Sequence, residues 1–460
     1  MRLINQMTVL VILFITGCTG TQQMIHDEPP PPVEERSELE ILFQNSKPFT
    51  KNFTGFVLHS PETDSTYFQL NADKFFTPAS NTKLFTFFAS LKMLPDSIPA
   101  LEYQIRGDSL IIWGTGDPTL LHPKFERSPV IDFLKDSSYK IYYSDNHYQD
   151  NHLGPGWAWG DYQYSYSTEK SPFPMYGNTV EIEVEEVTQV RISDNEQGEL
   201  NIYPKLFRNK ITDAETRPGK ETPLLYREFN DNIIEYMPIK NTDRYSIDRP
   251  FHYNPELIVQ LLSEEISKDV SYLDEIKPSN TKKLYGLSKD TVLAAMLKPS
   301  DNFLAEQLLL AISAEYELPM NSRSAIAAVK ERYFQDLPDE AVWVDGSGLS
   351  RYNLFTPQTM VELLEQIDRE FEDDSTLFSY FPAGGSSGTI RNWYAHREGG
   401  DPYVFAKTGT LSNNHCLSGF VITEKGTKLI FSFMNNHYIT SSSNVKVEME
   451  KILWHIYKNY

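Results

Sequence analysis

The chain has 460 residues, of which 40% are hydrophobic and 13% aromatic, so it is long enough for two or three domains that share at least one large core. Its 42 lysines and arginines against 63 aspartates and glutamates give a formal net charge of −21. This acidic balance weighs against a nucleic-acid partner, because phosphates need a basic face, and we expect no nucleic acid to bind.

The first 18 residues are typical of a bacterial lipoprotein signal peptide. Arg2 precedes an apolar run over 7–15 that is too short to span a bilayer, and small residues then lead to Cys18. In such signals the cysteine is lipidated and becomes the mature N-terminus. We therefore expect an exported protein, held by a lipid on Cys18 to a membrane of the bacterial cell envelope and facing the periplasm. An ordinary signal peptide with an incidental cysteine is the alternative, and it also predicts export.

Residues 19–36 form a polar segment with consecutive prolines from Pro29 to Pro32, which predicts an extended, semi-rigid tether. The chain has two cysteines, and with Cys18 lipidated only Cys416 would remain as a free thiol. No intramolecular disulfide is therefore expected in the mature chain. A short helix is predicted over 37–43, with Ser37 as its N-cap and Glu40 three residues later.

Two β-type runs, 54–59 and 65–70, flank a turn at 61–64 and predict a hairpin. Beyond residue 95 the chain alternates short strand-like pieces with turns rich in Pro, Asn, Asp and Gly. We predict a β-rich insert of one or more domains over 96–284, within a domain formed by 37–95 and 285–460. The strands expected in the insert are 110–113, 140–143, 180–184, 189–192 and 199–203.

Helical pattern returns after the insert, and the chain then ends in strands and a helix. The helices are predicted at 288–297, 302–314, 357–371 and 445–457. A strand from Val342 is expected to run into a glycine-containing loop, and further strands are expected at 404–411, 417–423 and 428–435. Three consecutive antiparallel strands beside a terminal helix predict an α+β sandwich built around one sheet.

The most informative stretch is 77–86, in which Ser80 is followed three residues later by Lys83 and then by an apolar run. Pro78 suits a helix start and residues three apart share a helix face, so the pattern predicts a helix that begins at Ser80. Ser80 Oγ and Lys83 Nζ can then reach each other. A serine is a weak nucleophile until a base takes its proton, and a lysine is such a base only when burial or another cation lowers its pKa.

Neither the Ser-x-x-Lys pattern nor a Ser-Asp-Asn triplet is specific alone. The serines with a lysine three residues on are Ser80, Ser137, Ser167, Ser279 and Ser443. Ser-Asp-Asn begins at Ser144, Ser193 and Ser300, and the Ser193 copy is typical of a turn. Only Ser300 lies between two apolar predicted helices, where a side chain can face a cleft. The Lys-Thr-Gly triplet, at 407–409, occurs once and falls on a predicted strand.

Ser-x-x-Lys, Ser-Asp-Asn and Lys-Thr-Gly, in this order, resemble the motif set of serine enzymes that bind penicillin. The chain resembles the class C low-molecular-mass penicillin-binding proteins, the D-alanyl-D-alanine carboxypeptidase/endopeptidase family. The runs at 116–118, 154–159, 344–351 and 388–389 also resemble that family, so the likeness extends from about 54 to 435. The resemblance implies a β-lactamase/transpeptidase-like α/β sandwich with a large β-rich insert between the first and second motifs. The domain formed by 37–95 and 285–460 would be the penicillin-binding domain.

The resemblance implies hydrolysis of peptidoglycan stem peptides through an acyl-enzyme, with β-lactam antibiotics as covalent inhibitors. Ser80 would attack the carbonyl of a D-Ala-D-Ala bond while Lys83 takes its proton, which requires Lys83 to be buried and close to the charge of Lys407. Ser300 would pass a proton to the departing nitrogen. Asn302 would hydrogen-bond either the acyl side of the substrate or Lys83.

The Lys-Thr-Gly strand is expected to bind the substrate. Lys407, helped by Thr408 or Thr410, would pair with the carboxylate of the terminal D-alanine, and Gly409 permits close approach of the backbone. The resemblance also implies an oxyanion hole made by the backbone amides of Ser80 and Thr410. No cofactor or metal is expected, and the histidines show no His-Glu-x-x-His spacing.

Two other functions remain open at this stage. A serine β-lactamase shares the first half of the chemistry, and 317–321 faintly resembles the glutamate loop that class A enzymes use for deacylation. A non-catalytic lipoprotein of the cell envelope, which keeps the fold only to bind glycan or a partner, is the other. The sequence does not distinguish the carboxypeptidase from the cross-link-cutting endopeptidase.

Overall fold

A computed structural model of the chain describes residues 37–126, 128–185, 200–213, 224–237 and 243–460. Cys18, the signal peptide and the tether lie outside these ranges, as do the predicted strand 189–192 and the triplet that begins at Ser193. Within the described ranges, no helix is both long and apolar enough to cross a bilayer.

Two short helices and a hairpin lead into the Ser80 region. The elements are α1 Glu38–Asn45, α2 Lys47–Lys51, β1 Phe53–Ser60, β2 Ser65–Leu70 and α3 Lys83–Met93. The Ser37 hydroxyl caps α1 by accepting from the Glu40 amide at 3.2 Å, and β1 pairs antiparallel with β2, so both predictions are confirmed. The prediction that an α-helix begins at Ser80 is wrong. Residues Ala79–Thr82 form a 3-10 turn and the α-helix begins at Lys83, because Ala79 has a φ of 49° and the Thr82 hydroxyl bonds back to its carbonyl at 2.8 Å.

The described residues of the middle of the chain form three sheets and two α-helices. Its elements are β3 Ser97–Arg106, β4 Ser109–Gly114, α4 Pro129–Asp136, β5 Lys140–Ser144, β6 Thr179–Val184, β7 Leu200–Tyr203, β8 Ile211–Asp213, β9 Leu224–Arg227, β10 Ile234–Met237, β11 Tyr245–Pro250, α5 Pro255–Ile266, β12 Val270–Tyr272 and β13 Lys282–Ser288. The sheet orders are β12-β5-β4-β3-β13, β11-β6-β7 and β8-β10-β9. The strands predicted at 110–113, 140–143, 180–184 and 199–203 are confirmed.

The helices α4 and α5 were not predicted, although each carries a clear start signal. Ser128 and Asn254 cap them through their side chains, and each helix has a proline in its first turn. Apolar residues between Ala100 and Val270 form one buried cluster in this part of the chain. The domain boundaries at 95 and 285 stay a prediction.

Among the described residues, the last part of the chain contains six α-helices and three of the five strands of the central sheet. Its elements are α6 Lys289–Leu297, α7 Asn302–Glu315, α8 Ser322–Tyr333, α9 Pro357–Asp368, α10 Asp374–Tyr380, β14 Val404–Leu411, β15 Asn414–Ile422, β16 Lys428–Asn436 and α11 Ser442–Asn459. The predicted helices and the last three strands are confirmed, whereas α8 and α10 were not predicted. The prediction of a strand from Val342 is wrong. Val342 makes only an isolated bridge to Leu354, and the Val344 amide donates to the Asn353 side chain at 2.8 Å instead of to a neighbouring strand.

The central sheet is antiparallel, has the order β14-β15-β16-β1-β2 and lies between two helical layers. Successive residues of β15 face opposite sides, as a strand requires: Cys416 joins a core with α3, α6, α7 and α9, and Leu417 joins a core with α1 and α11. Helix α3 is buried from Lys83 to Ser90. A helix buried on all sides places Lys83 in the interior.

Candidate active site

Ser80 and Lys83 meet at the start of α3. The 3-10 turn closes i to i+3, so the two side chains lie on one side, and Lys83 Nζ donates to Ser80 Oγ at 3.0 Å. Ser80 is partly exposed, whereas Lys83 is fully buried. The Ser80 hydroxyl is thus open to the cleft, and the Lys83 amine that hydrogen-bonds to it is shielded from water.

Lys83 Nζ has two further acceptors. Asn302 Oδ1 lies 2.5 Å away and the carbonyl oxygen of Ser347 lies 2.7 Å away. The amide nitrogen of Asn302 donates in turn to the carbonyl of Tyr166 at 2.7 Å, which fixes the orientation of Asn302. Of the two alternatives left open by the sequence, Asn302 contacts Lys83.

Burial lowers the pKa of Lys83 from 10.5 to about 8, because the charged amine loses its hydration. The negative charges of Asp345, Asp301 and Glu306 act in the opposite direction and keep the pKa from falling further. A base with a pKa near neutrality is suited to general-base catalysis. Burial is therefore the cause of the lowered pKa of Lys83. The neighbouring charges that modify this pKa come from carboxylates and not from a second cation.

Two buried acids behind Lys83 were missed by the sequence analysis. The Asp345 carboxylate accepts hydrogen bonds at 2.7 to 2.9 Å from Trp157 Nε1, the amides of Gly348 and Ser350, and Asn353 Nδ2. The runs 154–159 and 344–351, which contributed to the family resemblance, therefore meet at Asp345. The sequence therefore showed that these two runs resemble the family, but it did not assign a role to Asp345.

The second acid is Glu306, one turn after Asn302 on α7. Its Oε1 accepts from the Ser347 amide at 2.7 Å, and burial raises the pKa of this carboxyl from 4.5 to about 7. Its Oε2 has no hydrogen-bond partner among the described residues. Glu306 therefore fixes the backbone of Ser347 through its amide, and the carbonyl of the same residue accepts the hydrogen bond from Lys83.

Ser300 and Lys407 form the second polar pair of the site. Lys407 Nζ donates to Ser300 Oγ at 2.7 Å and to the Thr408 carbonyl at 2.7 Å. Ser300 lies between α6 and α7 with a φ of 66°, a left-handed conformation uncommon outside glycine. Burial, together with the charge of Lys83, lowers the pKa of Lys407 well below its usual value.

The strand β14 is held directly against the Ser80 turn. Asn81 Nδ2 donates to the Lys407 carbonyl at 2.6 Å, and a Cβ on Gly409 would lie 2.2 Å from the Pro78 carbonyl and 3.1 Å from the Ser80 amide nitrogen. Only glycine allows this approach.

These residues open into a cleft of about 230 Å³. The residues that line it are Ser80, Ser300, Thr389, Thr408, Thr410, His415 and Lys446. Thr389 Oγ1 and Thr408 Oγ1 are 2.8 Å apart, and Thr410 Oγ1 lies 2.9 Å from His415 Nδ1. Hydroxyls and the ammonium group of Lys446 therefore face the reaction centre, an environment suited to an anionic substrate.

The Ser-Asp-Asn copy at Ser144 is structural. Ser144 Oγ donates to the Glu275 carbonyl at 2.8 Å, and the Asp145 carboxylate accepts from the hydroxyls of Tyr253 and Tyr272 at 2.8 and 3.0 Å. These contacts hold the end of β5, and none of the residues that make them lines the cleft with Ser80. Of the predicted site residues, Ser80, Lys83, Ser300, Asn302 and 407–410 are brought together.

Comparison with known proteins agrees with this geometry. Residues 36–455 match the profile of the D-Ala-D-Ala carboxypeptidase 3 (S13) family. The chain is 25% identical over 447 residues to the D-alanyl-D-alanine carboxypeptidase DacB of Haemophilus influenzae, covering 86% of this chain and 87% of that protein. It is 26% identical over 426 residues to the D-alanyl-D-alanine carboxypeptidase of Actinomadura sp. (strain R39), covering 83% and 77%.

A similar fold has been solved in the crystal structure of penicillin binding protein 4 (dacB) from Haemophilus influenzae. The TM-score is 0.73 at 21% identity, covering 92% of this chain and 100% of that chain. The predicted fold class, a β-lactamase/transpeptidase-like sandwich with a β-rich insert, is thereby confirmed.

Proposed function

The chain belongs to the D-Ala-D-Ala carboxypeptidase 3 (S13) family, and from this premise we propose the roles of its active-site residues. It is a serine DD-peptidase that acts on peptidoglycan through an acyl-enzyme, removing the terminal D-alanine of stem peptides, cutting D-Ala cross-links, or both. The observation that carries the proposal is the 3.0 Å contact between Lys83 Nζ and Ser80 Oγ at the head of a buried helix.

Ser80 is the nucleophile and Lys83 its general base. With a pKa of about 8, roughly a tenth of Lys83 is neutral at pH 7, and this fraction can accept the Ser80 proton as Oγ attacks the carbonyl of the penultimate D-alanine. Asn302 Oδ1 and the Ser347 carbonyl hold Nζ in position from the other side. The attack forms the tetrahedral adduct whose collapse leaves the acyl-enzyme.

Ser300 delivers a proton to the departing D-alanine nitrogen. Its hydroxyl oxygen accepts a 2.7 Å hydrogen bond from Lys407 Nζ, which leaves the hydroxyl proton free for the departing nitrogen. The proton that Lys83 took from Ser80 then restores the Ser300 hydroxyl, and Lys407 orients Ser300 while it keeps its own proton.

The carboxylate of the leaving D-alanine binds along β14. The hydroxyls of Thr408 and Thr410 line the cleft, and Lys407 is fully buried beside them with a lowered pKa. A bound carboxylate would favour the protonated form of Lys407, which then provides the charge. The oxyanion is bound by the amides of Ser80 and Thr410, which the glycine contact at 409 brings close together. Loss of one such donor typically costs about a hundredfold or more in rate.

The two alternative functions are less well supported. A class A β-lactamase needs a carboxylate to activate the deacylating water, and among the described residues that line the space beside Ser80 and Thr410 there is neither aspartate nor glutamate. Asp301 and Asp248 line the adjoining space that Ser300 and Asn302 also line, and Asp301 is paired there with Lys124. Glu317 follows the end of α7, where its amide bonds to the Ala314 carbonyl, and does not line the cleft. A non-catalytic lipoprotein would not need a buried lysine on its serine. We therefore infer that β-lactams acylate Ser80 and are released slowly.

We also propose that the protein is a lipoprotein of the bacterial cell envelope. Residues 1–18 would be the signal peptide, Cys18 the lipidated residue and 19–36 the tether, with the enzyme facing the periplasm. The penicillin-binding domain would comprise 37–95 and 285–460 and the insert 96–284. The buried clusters support this division, since one draws its residues from 100–270 and the other two draw theirs from the flanking segments, apart from Ile98 at the start of the insert.

The decisive experiment is incubation of the protein with purified muropeptides, monomeric and cross-linked, followed by mass analysis and by labelling with fluorescent penicillin. Wild type should release D-alanine or cleave dimers and should label, whereas Ser80→Ala should do neither. Ser144→Ala, which removes the serine of the structural Ser-Asp-Asn copy, is the matched control and should label as wild type. Labelling of Ser80→Ala at wild-type stoichiometry would show that the nucleophile is a different residue.

A further inference from the structure

The cleft does not end at the residues assigned to the D-alanine carboxylate. It continues past Thr410 to His415 and Lys446, which line the same space as Ser80 and Ser300. His415 lies on β15 directly opposite Thr410 across the strand pair, and Lys446 lies near the start of α11, which packs on β15. The proposed reaction gives neither residue a role.

Lys446 is a cation without a carboxylate partner among the described residues. Its ammonium lies 5.0 Å from the centre of the Trp393 ring, and its side chain is half-buried. The other lysines of α11 are paired: Lys451 with Glu448, and Lys458 with Glu398 and Glu424. In a chain with a net charge of −21, an unpaired lysine that faces the active-site cleft favours an anionic ligand.

His415 completes this end of the cleft as a neutral polar group. It is fully buried, its Nδ1 is bound to Thr410 Oγ1, and its Nε2 has no hydrogen-bond partner among the described residues. Burial, with a smaller contribution from the charge of Lys446, lowers the pKa of His415 to about 3, so the ring carries no charge at neutral pH. Burial also lowers the pKa of Lys446 from 10.5, and of the two residues Lys446 is the one whose positive charge a bound anion would stabilise.

We propose that His415 and Lys446 form a subsite on the leaving-group side of the cleft that binds a second carboxylate carried by the leaving residue. The proposal rests on the assignment of Ser80 as nucleophile and of 407–410 as the site of the first carboxylate. Because that first site uses Lys407, Lys446 is free to pair with another anion. The second carboxylate comes either from an acidic D-residue in the terminal position or from the peptide to which a cross-linked leaving residue is attached.

The test uses three acyl-D-Ala-D-Xaa substrates that differ only in the leaving residue, D-Ala, D-Gln or D-Glu. The measured quantity is the ratio of kcat/KM for D-Glu to that for D-Gln, since the pair is isosteric and differs by one charge. Wild type should favour D-Glu, and Lys446→Met should lower the ratio roughly tenfold, the usual effect of removing a charge-assisted hydrogen bond. Lys451→Met, on the same helix but paired with Glu448, is the control and should keep the wild-type ratio.

A second arm compares cross-linked muropeptide dimers whose free carboxylates are intact or amidated. If the second carboxylate comes from the attached peptide, amidation should slow wild type and have less effect on Lys446→Met; if it comes only from an acidic terminal residue, the D-Glu preference should appear without this dependence. An equal D-Glu to D-Gln ratio in wild type and Lys446→Met overturns the subsite. Failure of wild type to hydrolyse the D-Ala substrate or to be labelled by penicillin would instead contradict the proposed function.

Discussion

The carboxylate of Glu306 accepts a 2.7 Å hydrogen bond from the backbone amide of Ser347. The carbonyl of Ser347 in turn accepts from Lys83 Nζ, so the acid acts on the general base through one residue and through its charge. Glu306 and Lys83 are both fully buried, and their pKa values are displaced towards neutrality from opposite sides. The protonation of Lys83 is thus linked to a group that never touches the substrate.

This link predicts the pH profile of Glu306→Gln. In wild type, kcat/KM should rise with pH through about 8, because only neutral Lys83 can accept the Ser80 proton. The negative charge of Glu306 raises the pKa of Lys83, so its removal should move the rise to lower pH. Glu315→Gln, at the end of the same helix and paired with Lys283, is the control. A profile displaced to higher pH in Glu306→Gln would contradict the link.

The same substitution has a predicted effect on stability. The pKa of Glu306 is about 7 in the folded chain against 4.5 in the reference state, so its contribution to stability is complete below pH 4.5 and is lost as pH rises through 7. The free energy of unfolding of wild type should therefore fall over this interval by about 3 kcal/mol relative to Glu306→Gln. Denaturant unfolding at pH 4.5 and pH 8 measures the difference. A parallel pH dependence of the two proteins would contradict the raised pKa.

The sequence was sufficient to predict Ser80, Lys83 and the strand with Lys407, because helical and strand geometry over short spacings determine which side chains meet. Glu306 could not be recognised, since it lies among leucines on a helix buried on all sides and its role depends on a contact with residue 347. His415 and Lys446 become neighbours of the cleft only when α11 packs on β15. The strand prediction at Val342 was wrong for a related reason, because the loop is held by tertiary contacts that the local pattern does not show. These contacts are the hydrogen bonds that the side chains of Asp345 and Asn353 make with it.

Gly409 gives a steric prediction. In Gly409→Ala the new Cβ would lie 2.2 Å from the Pro78 carbonyl, a contact that forces β14 away from the Ser80 turn and separates the two oxyanion-hole amides. Penicillin acylation should slow by about a hundredfold or more, the usual loss for one oxyanion donor. Gly160→Ala is the matched control, because nothing lies within 4 Å of a Cβ there. Acylation of Gly409→Ala at the wild-type rate would mean that the amides do not form the hole.

The proposed lipid anchor is tested with Cys18→Ser. The polar tether and the acidic chain offer no other predicted attachment, so this variant should move from the membrane pellet to the soluble fraction after cell lysis. Cys416→Ala removes the buried thiol of β15 and should stay with the membrane. Cys18→Ser remaining in the pellet would show that another interaction holds the protein to the membrane.

The last prediction separates the two possible targets of Lys407, the substrate carboxylate and Ser300. If Lys407 pairs with the carboxylate, Lys407→Gln should lose a charge-assisted hydrogen bond of about 1.5 to 3 kcal/mol, measured as lower kcat/KM for free D-Ala-D-Ala peptides. Replacing the terminal carboxylate of the peptide by an amide should cost wild type a similar amount and Lys407→Gln much less. The four rate constants form a cycle that isolates the pair from general damage to the site. Additive losses would instead mean that the 2.7 Å contact with Ser300 is the one that matters, and that Lys407 serves proton delivery rather than recognition of the chain end.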